Sequence, residues 1–173
     1  TASLFFVTAL NAAKKRIWLS APYFVPDPAV MKALQLAALR GVDVRIITTG
    51  KPDSLPVYLA AFHYIEQLRG VGIKFYEYKP GFLHEKVMLV DDRLSTVGTP
   101  NFDNRSFRLN FEVTSVIVDE KFAREMEAMF EADFRHAVPI DPEALEQKPL
   151  WWRAGVQLAA LVGCVDLPPS PAA

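Results

Sequence analysis

Apolar residues along the chain recur with two periods, and each change of period marks a new element. "SLFFVTALNAA" carries them at helical spacing, "KKRIWLS" is rich in β-forming residues, and Pro22 and Pro26 bracket a loop around "YFV". "DPAVMKALQLAALRG" has the strongest helical pattern. Asp27-Pro28 is a start signal, Val30, Leu34, Ala37 and Ala38 keep the spacing, and Gly41 stops it. "VDVRIITT" then reads as a β-branched strand, "YLAAFHYIEQLRG" as a helix and "GIKFYEYKP" as an alternating strand, which gives the order βαβαβ.

From residue 84 strands dominate. "HEKVMLVD", a turn at Asp91-Asp92-Arg93, "LSTVGT" and, after a loop, "NFEVTSVIVD" read as strands, and "EKFAREMEAMFEADFRHA" closes the fold as an amphipathic helix. Strands alternating with helices, followed by a strand-rich part, predict an α/β sandwich with a mixed sheet, a single domain over residues 1–140. An acidic piece, "DPEALEQKP", leads to the apolar "LWWRAGVQLAALVGCV", a helical extension over 141–165. The Pro-rich end, 166–173, reads as a disordered tail.

At 173 residues and 51% apolar content the chain can bury a substantial core. Its formal charge of −1 gives no overall attraction to a polyanion, so nucleic acid is not an expected partner, while a local basic site stays open. The single Cys164 excludes an internal disulfide and sits in no metal-ligand spacing, so the redox compartment is left open and zinc is not expected; no cofactor is expected. No stretch reaches the roughly 20 apolar residues of a spanning helix, and the amino end lacks a signal-peptide arrangement. Because it opens on Thr1 and not Met, the chain reads as a piece of a longer protein.

The candidate chemistry lies between Phe82 and Val113. Side chains alternate along a strand, so His84 and Lys86 should emerge on one side, an acid/base or nucleophile beside a cation. Asp91, at an odd offset from Lys86, should face away if the strand stays regular, which makes it a structural residue holding the turn or nearby backbone. Gly98 marks a close backbone approach, and Thr99 and Asn101 add a hydroxyl and an amide that can donate to oxyanions; with Lys86 they make a phosphate cradle. By the same parity Asn110 and Glu112 share a face, and a carboxylate there can fix a histidine tautomer through Nδ1–H.

The spacing of His84, Lys86, Asp91 and then Gly98-Thr99-x-Asn101 resembles the HxK(x)4D(x)6G[ST]xN signature of the phospholipase D superfamily. The segments "APYFVPD", "ALRGVDVRI", "YEYKPGFLHEK" and "RSFRLNFEV" are similar to the second catalytic half of bacterial cardiolipin synthases, from the first helix to about Trp152. Pro100 and Phe102 are mild variations. Glu85 stands where a small residue is frequent, and by parity it points away from the site.

The resemblance implies a phospholipase D-like α-β-α sandwich with a mixed β-sheet, one half of a pseudo-twofold two-domain enzyme. It also implies metal-independent phosphodiester exchange, in which one histidine attacks phosphorus to form a phosphohistidine and a second protonates the leaving alkoxide. Two motifs are needed and this chain holds one, so the partner is a second half in the same parent chain or a homodimer mate. On that pattern His84 is the general acid/base, Lys86 and Asn101 hold phosphoryl oxygens with Thr99 in support, and Glu112 orients the other half's histidine. Asn110 and Arg105 join as substrate-binding candidates.

Several residues have plainer readings. Arg105 and Arg108 either line a headgroup pocket or salt-bridge on the surface, and His63 and His136, in helical contexts without partners, are left out of the site. Leu150, Trp151, Trp152, Leu158, Leu161 and Val162, interrupted by Arg153 and Gln157, make a tail helix too short to span a bilayer. It either packs on the absent half or lies on a bilayer surface, with the tryptophans beside Arg153 favouring the second. The expected activity is transfer of a phosphatidyl group between phosphatidylglycerol molecules at a bacterial inner membrane. A homodimeric nuclease and a non-catalytic scaffold half are the rivals.

Overall fold

The computed structural model describes residues 2–141 and 147–163. Six helices and nine strands follow in the order α1 (Ala2–Ala12), β1 (Arg16–Ser20), β2 (Phe24–Val25), α2 (Pro28–Leu39), β3 (Asp43–Thr49), α3 (Leu55–Arg69), β4 (Lys74–Tyr78), β5 (Val87–Val90), β6 (Leu94–Gly98), β7 (Phe102–Asp103), α4 (Asn104–Arg108), β8 (Thr114–Val118), α5 (Glu120–His136), β9 (Ala137–Pro139) and α6 (Leu150–Gly163) among these residues. The tail expected at 166–173 lies outside the described residues, as do Cys164 and 142–146 of the linker.

Seven strands form one mixed sheet in the order β8-β6-β5-β1-β3-β4-β9. β1, β3 and β4 are parallel and carry helical crossovers, whereas β5, β6 and β8 form an antiparallel meander and β9 returns antiparallel to β4. Both faces of the sheet are covered, which is why central strands read as unbroken apolar runs such as "VMLV" of β5. Alternate residues go to opposite layers. Ile17 and Leu19 of β1, with Met88 and Val90 of β5, join the core under α1, α2 and α3, while Trp18, Val87 and Leu89 pack with Ala123, Met126 and Phe130 of α5.

Local chemistry sets the helix ends. The buried Asp27 carboxylate accepts from the Val30 N–H at 2.9 Å, Pro28 opens α2, and Gly41 takes the left-handed turn (φ 85°) that closes it. Asp119 caps α5 by accepting from Phe122 N–H at 2.7 Å, with Glu120 in the first turn and Arg135 and His136 in the last, each where the helix dipole favours its charge.

The structure departs from the sequence reading in the short elements. The ladder of "HEKVMLVD" covers only Val87–Val90, and that of "NFEVTSVIVD" begins at Thr114. β2 and β7 form a separate parallel pair, fixed by aromatic packing: Phe102 meets Phe6 edge-on at 4.9 Å and stacks with Phe24 at 6.5 Å. This pair and α4 hold the segment that carries Asn101. α6 is no free appendage, since Trp152 packs edge-on against Phe62 at 5.2 Å and Val156 and Ala159 enter the core.

Candidate active site

Apart from Asp91, the residues singled out above gather at one edge of the sheet. β5 and β6 are antiparallel, as are β6 and β8, so the approach to β5, the exit of β6 and the approach to β8 coincide. The carboxyl ends of parallel β1, β3 and β4 open on the same edge, the usual side for ligands in an open α/β sheet.

His84 and Lys86 precede the paired part of β5, yet the alternation continues through them. Leu83 is buried in the α5 layer, and Glu85 lies near Asp133 of α5, where burial and that neighbouring charge push its carboxyl above the usual range. Burial likewise raises Asp133. The even residues take the other side. The His84 ring sits 5.3 Å from that of Phe82, and Lys86 lies within electrostatic reach of Glu112, Asp53 and Asp103. Burial pushes the Lys86 ammonium down from its ordinary value, against the pull of those three carboxylates. Its Nζ donates to the His84 carbonyl at 2.7 Å, which folds the cation back over the segment that bears the imidazole. The His84 side chain is exposed, and its ring nitrogens make no hydrogen bond among the described residues.

Gly98 permits the close approach that builds the opposite wall. Its N–H donates to Lys86 O at 3.1 Å, and a Cβ there would stand 2.5 Å from Val113 O and 2.9 Å from Thr114 Oγ1. Any side chain would push β8 away from β6. Beyond it, Thr99 N–H donates to Val113 O at 2.9 Å and Val113 N–H donates back to Thr99 Oγ1 at 3.0 Å. The Thr99 hydroxyl donates to Glu112 Oε2, and Asn110 Nδ2 donates to Glu112 Oε1 at 3.1 Å. Thr99 was expected to support phosphoryl oxygens; here its proton is engaged by Glu112, so together with Asn110 it positions that carboxylate. Asn110 and Glu112 meet through a side-chain hydrogen bond in a loop, since no strand pairing reaches them.

Asn101 is held by its backbone N–H, which donates to Ser106 Oγ at 3.0 Å, and its side-chain Oδ1 is buried without a partner. A buried amide oxygen left without a donor is costly, and it is the Nδ2 of the same amide that can donate to an anionic oxygen. Arg105 is half-buried on α4, and its charge partly opposes the burial that raises the Asp103 carboxyl above its usual range. Arg108 is exposed and turns toward Asp27, with Nη2 4.0 Å from Oδ2.

Asp91 stands apart for a reason that parity does not capture. It follows the far end of β5, about 17 Å along the strand from Lys86 at ~3.3 Å per residue. It adopts φ 53°, so the strand is no longer regular where it sits. Its carboxylate accepts from the backbone N–H groups of Lys14, Lys15 and Arg16 at 2.7–3.1 Å, clamping the α1–β1 connection to the β5–β6 turn. His63 and His136 are engaged on their own helices, by Gln67 at 2.6 Å and the Ala132 carbonyl at 2.9 Å.

Two carboxylates near Lys86 escaped the sequence reading. Asp103 caps α4 by accepting from Ser106 N–H at 2.7 Å, and burial raises its pKa, with Glu112 adding to the rise. The Asp-x-x-Ser spacing in "DNRS" was the available signal. Asp53 comes from the "GKPDS" loop, whose polar composition said only that it was a loop. Among the described residues no three His, Cys, Asp or Glu side chains come together as a metal site. The arrangement offers an ammonium and an amide for anionic oxygens, an imidazole for proton or covalent chemistry, and a carboxylate held ready by two donors.

Comparison with known proteins points to one family. Residues 6–134 match the family described as cardiolipin synthase, PLD-like domain. Cardiolipin synthase A of Pseudomonas aeruginosa (strain UCBPP-PA14) is 52% identical over 162 residues, covering 94% of this chain and 33% of that protein. The chain therefore spans about a third of the length of the curated relatives it matches. Among solved structures, a phospholipase D family member, Nuc, from Salmonella typhimurium superposes with a TM-score of 0.71 at 27% identity, covering 81% of this chain and 91% of that one. Phosphatidylserine synthase of Haemophilus influenzae Rd KW20 shares the fold, with a TM-score of 0.71 at 16% identity over 92% of this chain and 43% of that one. With three quarters of its length inside the family model, and with His84, Lys86, Thr99 and Asn101 on one sheet edge, the chain belongs to the phospholipase D-like domain family of the cardiolipin synthases.

Proposed function

We propose that this chain is the second catalytic half of a phosphatidyltransferase that joins two phosphatidylglycerol molecules into cardiolipin and releases glycerol. The observation that carries the reading is a mismatch within the half. Among the described residues His84 has no carboxylate on its ring, while Glu112 is held by Thr99 and Asn110 and has no imidazole. Two such halves related by a pseudo-twofold axis would supply each other's missing partner.

In the proposed reaction a histidine of the other half attacks phosphorus, the P–O bond to the leaving glycerol breaks, and His84 gives its proton to the departing alkoxide. A hydroxyl of the acceptor lipid then attacks the phosphohistidine. His84 takes back a proton, the P–N bond breaks and the other histidine leaves unmodified. Lys86 and Asn101 hold the phosphoryl oxygens throughout, where burial strengthens both interactions. Glu112 fixes the tautomer of the other half's histidine, and Arg105 borders the headgroup. The enzyme works at the inner membrane of a bacterium.

The test is synthesis of cardiolipin from phosphatidylglycerol by this chain alone and by the chain joined to its other half. Activity is expected only in the joined protein, because one histidine does not serve conveniently as both nucleophile and acid. Synthesis by a strictly monomeric sample overturns the reading. A homodimeric phospholipase D-family nuclease is the second reading; one domain of this size is shared with Nuc, a phospholipase D family member, and DNA cleavage by a purified dimer of this chain would favour it.

A further inference from the structure

α6 has two apolar faces. Trp152, Val156, Ala159 and Ala160 are turned inward against α3 and the core. On the opposite side Trp151, Ala154, Leu158 and Leu161 recur at offsets of three and four residues, one continuous stripe, and Trp151 is 74%, Leu158 65% and Leu161 68% exposed. An exposed tryptophan in line with two exposed leucines over three turns is an interaction surface, not scattered surface residues.

We infer that this stripe of α6 lies on a lipid surface containing anionic lipid and sets the chain's catalytic edge against it. The inference deepens the proposed lipid chemistry by naming the face that meets the lipid. Three observations select this occupant over a protein. The first is position in the sheet: α6 begins beside Tyr58, Glu77 and Pro139, at the β4–β9 end, whereas Lys86, Thr99 and Glu112 belong to the β5, β6 and β8 end. A second half that completes the site must approach the β8 end, where Phe111 and Val113 are exposed, and it leaves α6 uncovered.

The second observation is direction. Trp152 packs on Phe62 and Gly155 comes against Leu59, so α6 runs antiparallel to α3. α3 starts at the sheet edge that bears the site, and the Leu158 and Leu161 end of α6 therefore approaches that edge, where Leu55 is also exposed. A surface touching the stripe thus reaches the site's mouth.

The third is composition. Across its 14 residues α6 has no acidic side chain; Arg153 is its charge, and Lys148 precedes it with its ammonium 5.9 Å from the Trp152 ring. Tryptophan beside basic residues suits the headgroup level of an anionic bilayer. At ~1.5 Å per residue the helix is about 21 Å long, shorter than the ~30 Å hydrocarbon core, so the stripe lies along the surface.

The experiment is co-sedimentation of the chain with vesicles of phosphatidylcholine alone and of phosphatidylcholine mixed with phosphatidylglycerol. Binding should favour the mixed vesicles, and the double variant Trp151→Ser/Leu158→Ser should weaken it by at least about tenfold, the effect of removing two apolar anchors. Arg153→Gln should weaken binding to mixed vesicles alone. Circular dichroism of each variant checks that the exposed substitutions leave the fold in place. Unchanged vesicle binding by the double variant overturns the inference, and so does a dimer of the parent chain that the double variant turns into monomer, since the stripe is then a protein contact. Cardiolipin synthesis from detergent-dispersed substrate by the joined two-half protein should be the same with or without the double substitution. Loss of vesicle binding with retained synthesis in detergent therefore supports the surface, whereas absence of synthesis in the unmodified joined protein defeats the lipid-transfer reading and leaves the vesicle result standing.

Discussion

Thr99 and Glu112 are joined by a hydrogen bond from the threonine hydroxyl to the carboxylate, while the same hydroxyl oxygen accepts from Val113 N–H at 3.0 Å. One side chain thus closes the β6–β8 end and holds the carboxylate. Thr99→Val removes both bonds with little change of volume. In the joined enzyme the variant is expected to lose about tenfold in kcat, comparable to ~1.4 kcal/mol, through a loosened Glu112, and about 1 kcal/mol of stability from the lost backbone contact. Thr99→Ser keeps the hydroxyl and should restore most of both. Full activity in the valine variant would show that Asn110 alone holds Glu112 well enough.

His84→Ala and His84→Asn test the proton-transfer role. Turnover in the joined enzyme should fall by ~10²–10⁴, the range for a general acid or base, and substrate binding should change little because Lys86 and Asn101 remain. A substrate with a better leaving group needs less protonation, so it should recover the first step and trap a phosphatidyl-histidine in the other half. Mass spectrometry of quenched enzyme locates the adduct. Finding it on His84 in the unmutated protein reverses the two histidine roles.

Asp91→Ala should destabilise without touching chemistry. It deprives three backbone N–H groups of a charged acceptor, at about 1–3 kcal/mol, and leaves a non-glycine residue at φ 53° without the local hydrogen bonds that compensate it. A fall of several degrees in Tm with unchanged kcat per folded molecule is the expected pair of results. Asp91→Gly relieves the backbone part and should lie between alanine and the parent. A kcat loss larger than the loss of folded protein would place Asp91 in the site after all.

Glu85 and Asp133 predict a pH dependence. Burial raises both pKa values in the folded state. The folded chain therefore keeps protons that the unfolded chain releases near pH ~4, so stability declines as pH rises from that value through the folded pKa values. Glu85→Gln removes one titrating group and should give a shallower decline and a higher Tm at neutral pH. Thermal melts from about pH 4 to about pH 8 decide this; parallel curves for the two proteins would contradict it.

Much of the fold was legible because its long elements carry strong periods. The helix after Asp27-Pro28, the run Asp43–Thr49 and the amphipathic Glu120–His136 each announce themselves by capping or alternation. The pairs Phe24–Val25 and Phe102–Asp103 are two residues each, too short to show any period, and exist because Phe6, Phe24, Phe102 and Phe107 pack together from distant parts of the chain. In the site, the sequence positions of His84 and Lys86 were plain, since extended backbone alternates even before strand pairing begins. The engagement of Thr99 by Glu112, and the carboxylates of Asp53 and Asp103 around Lys86, depend on how three loops meet. No local pattern encodes that meeting.

Glu85 separates His84 from Lys86 by a single residue, yet it emerges on the far side of the sheet, beside Asp133 of α5. On that side Leu83 and Val87, flanking the motif residues, pack in one apolar layer with Ala123, Met126 and Phe130 of α5, so the segment is backed from behind, like a key held by its bow while the bit faces the lock. A shift of α5 along the sheet would therefore act on Leu83 and Val87 first and reach His84 and Lys86 through the backbone between them, without a route through the cleft. The outer helix thus serves as the backing of the segment that carries His84 and Lys86.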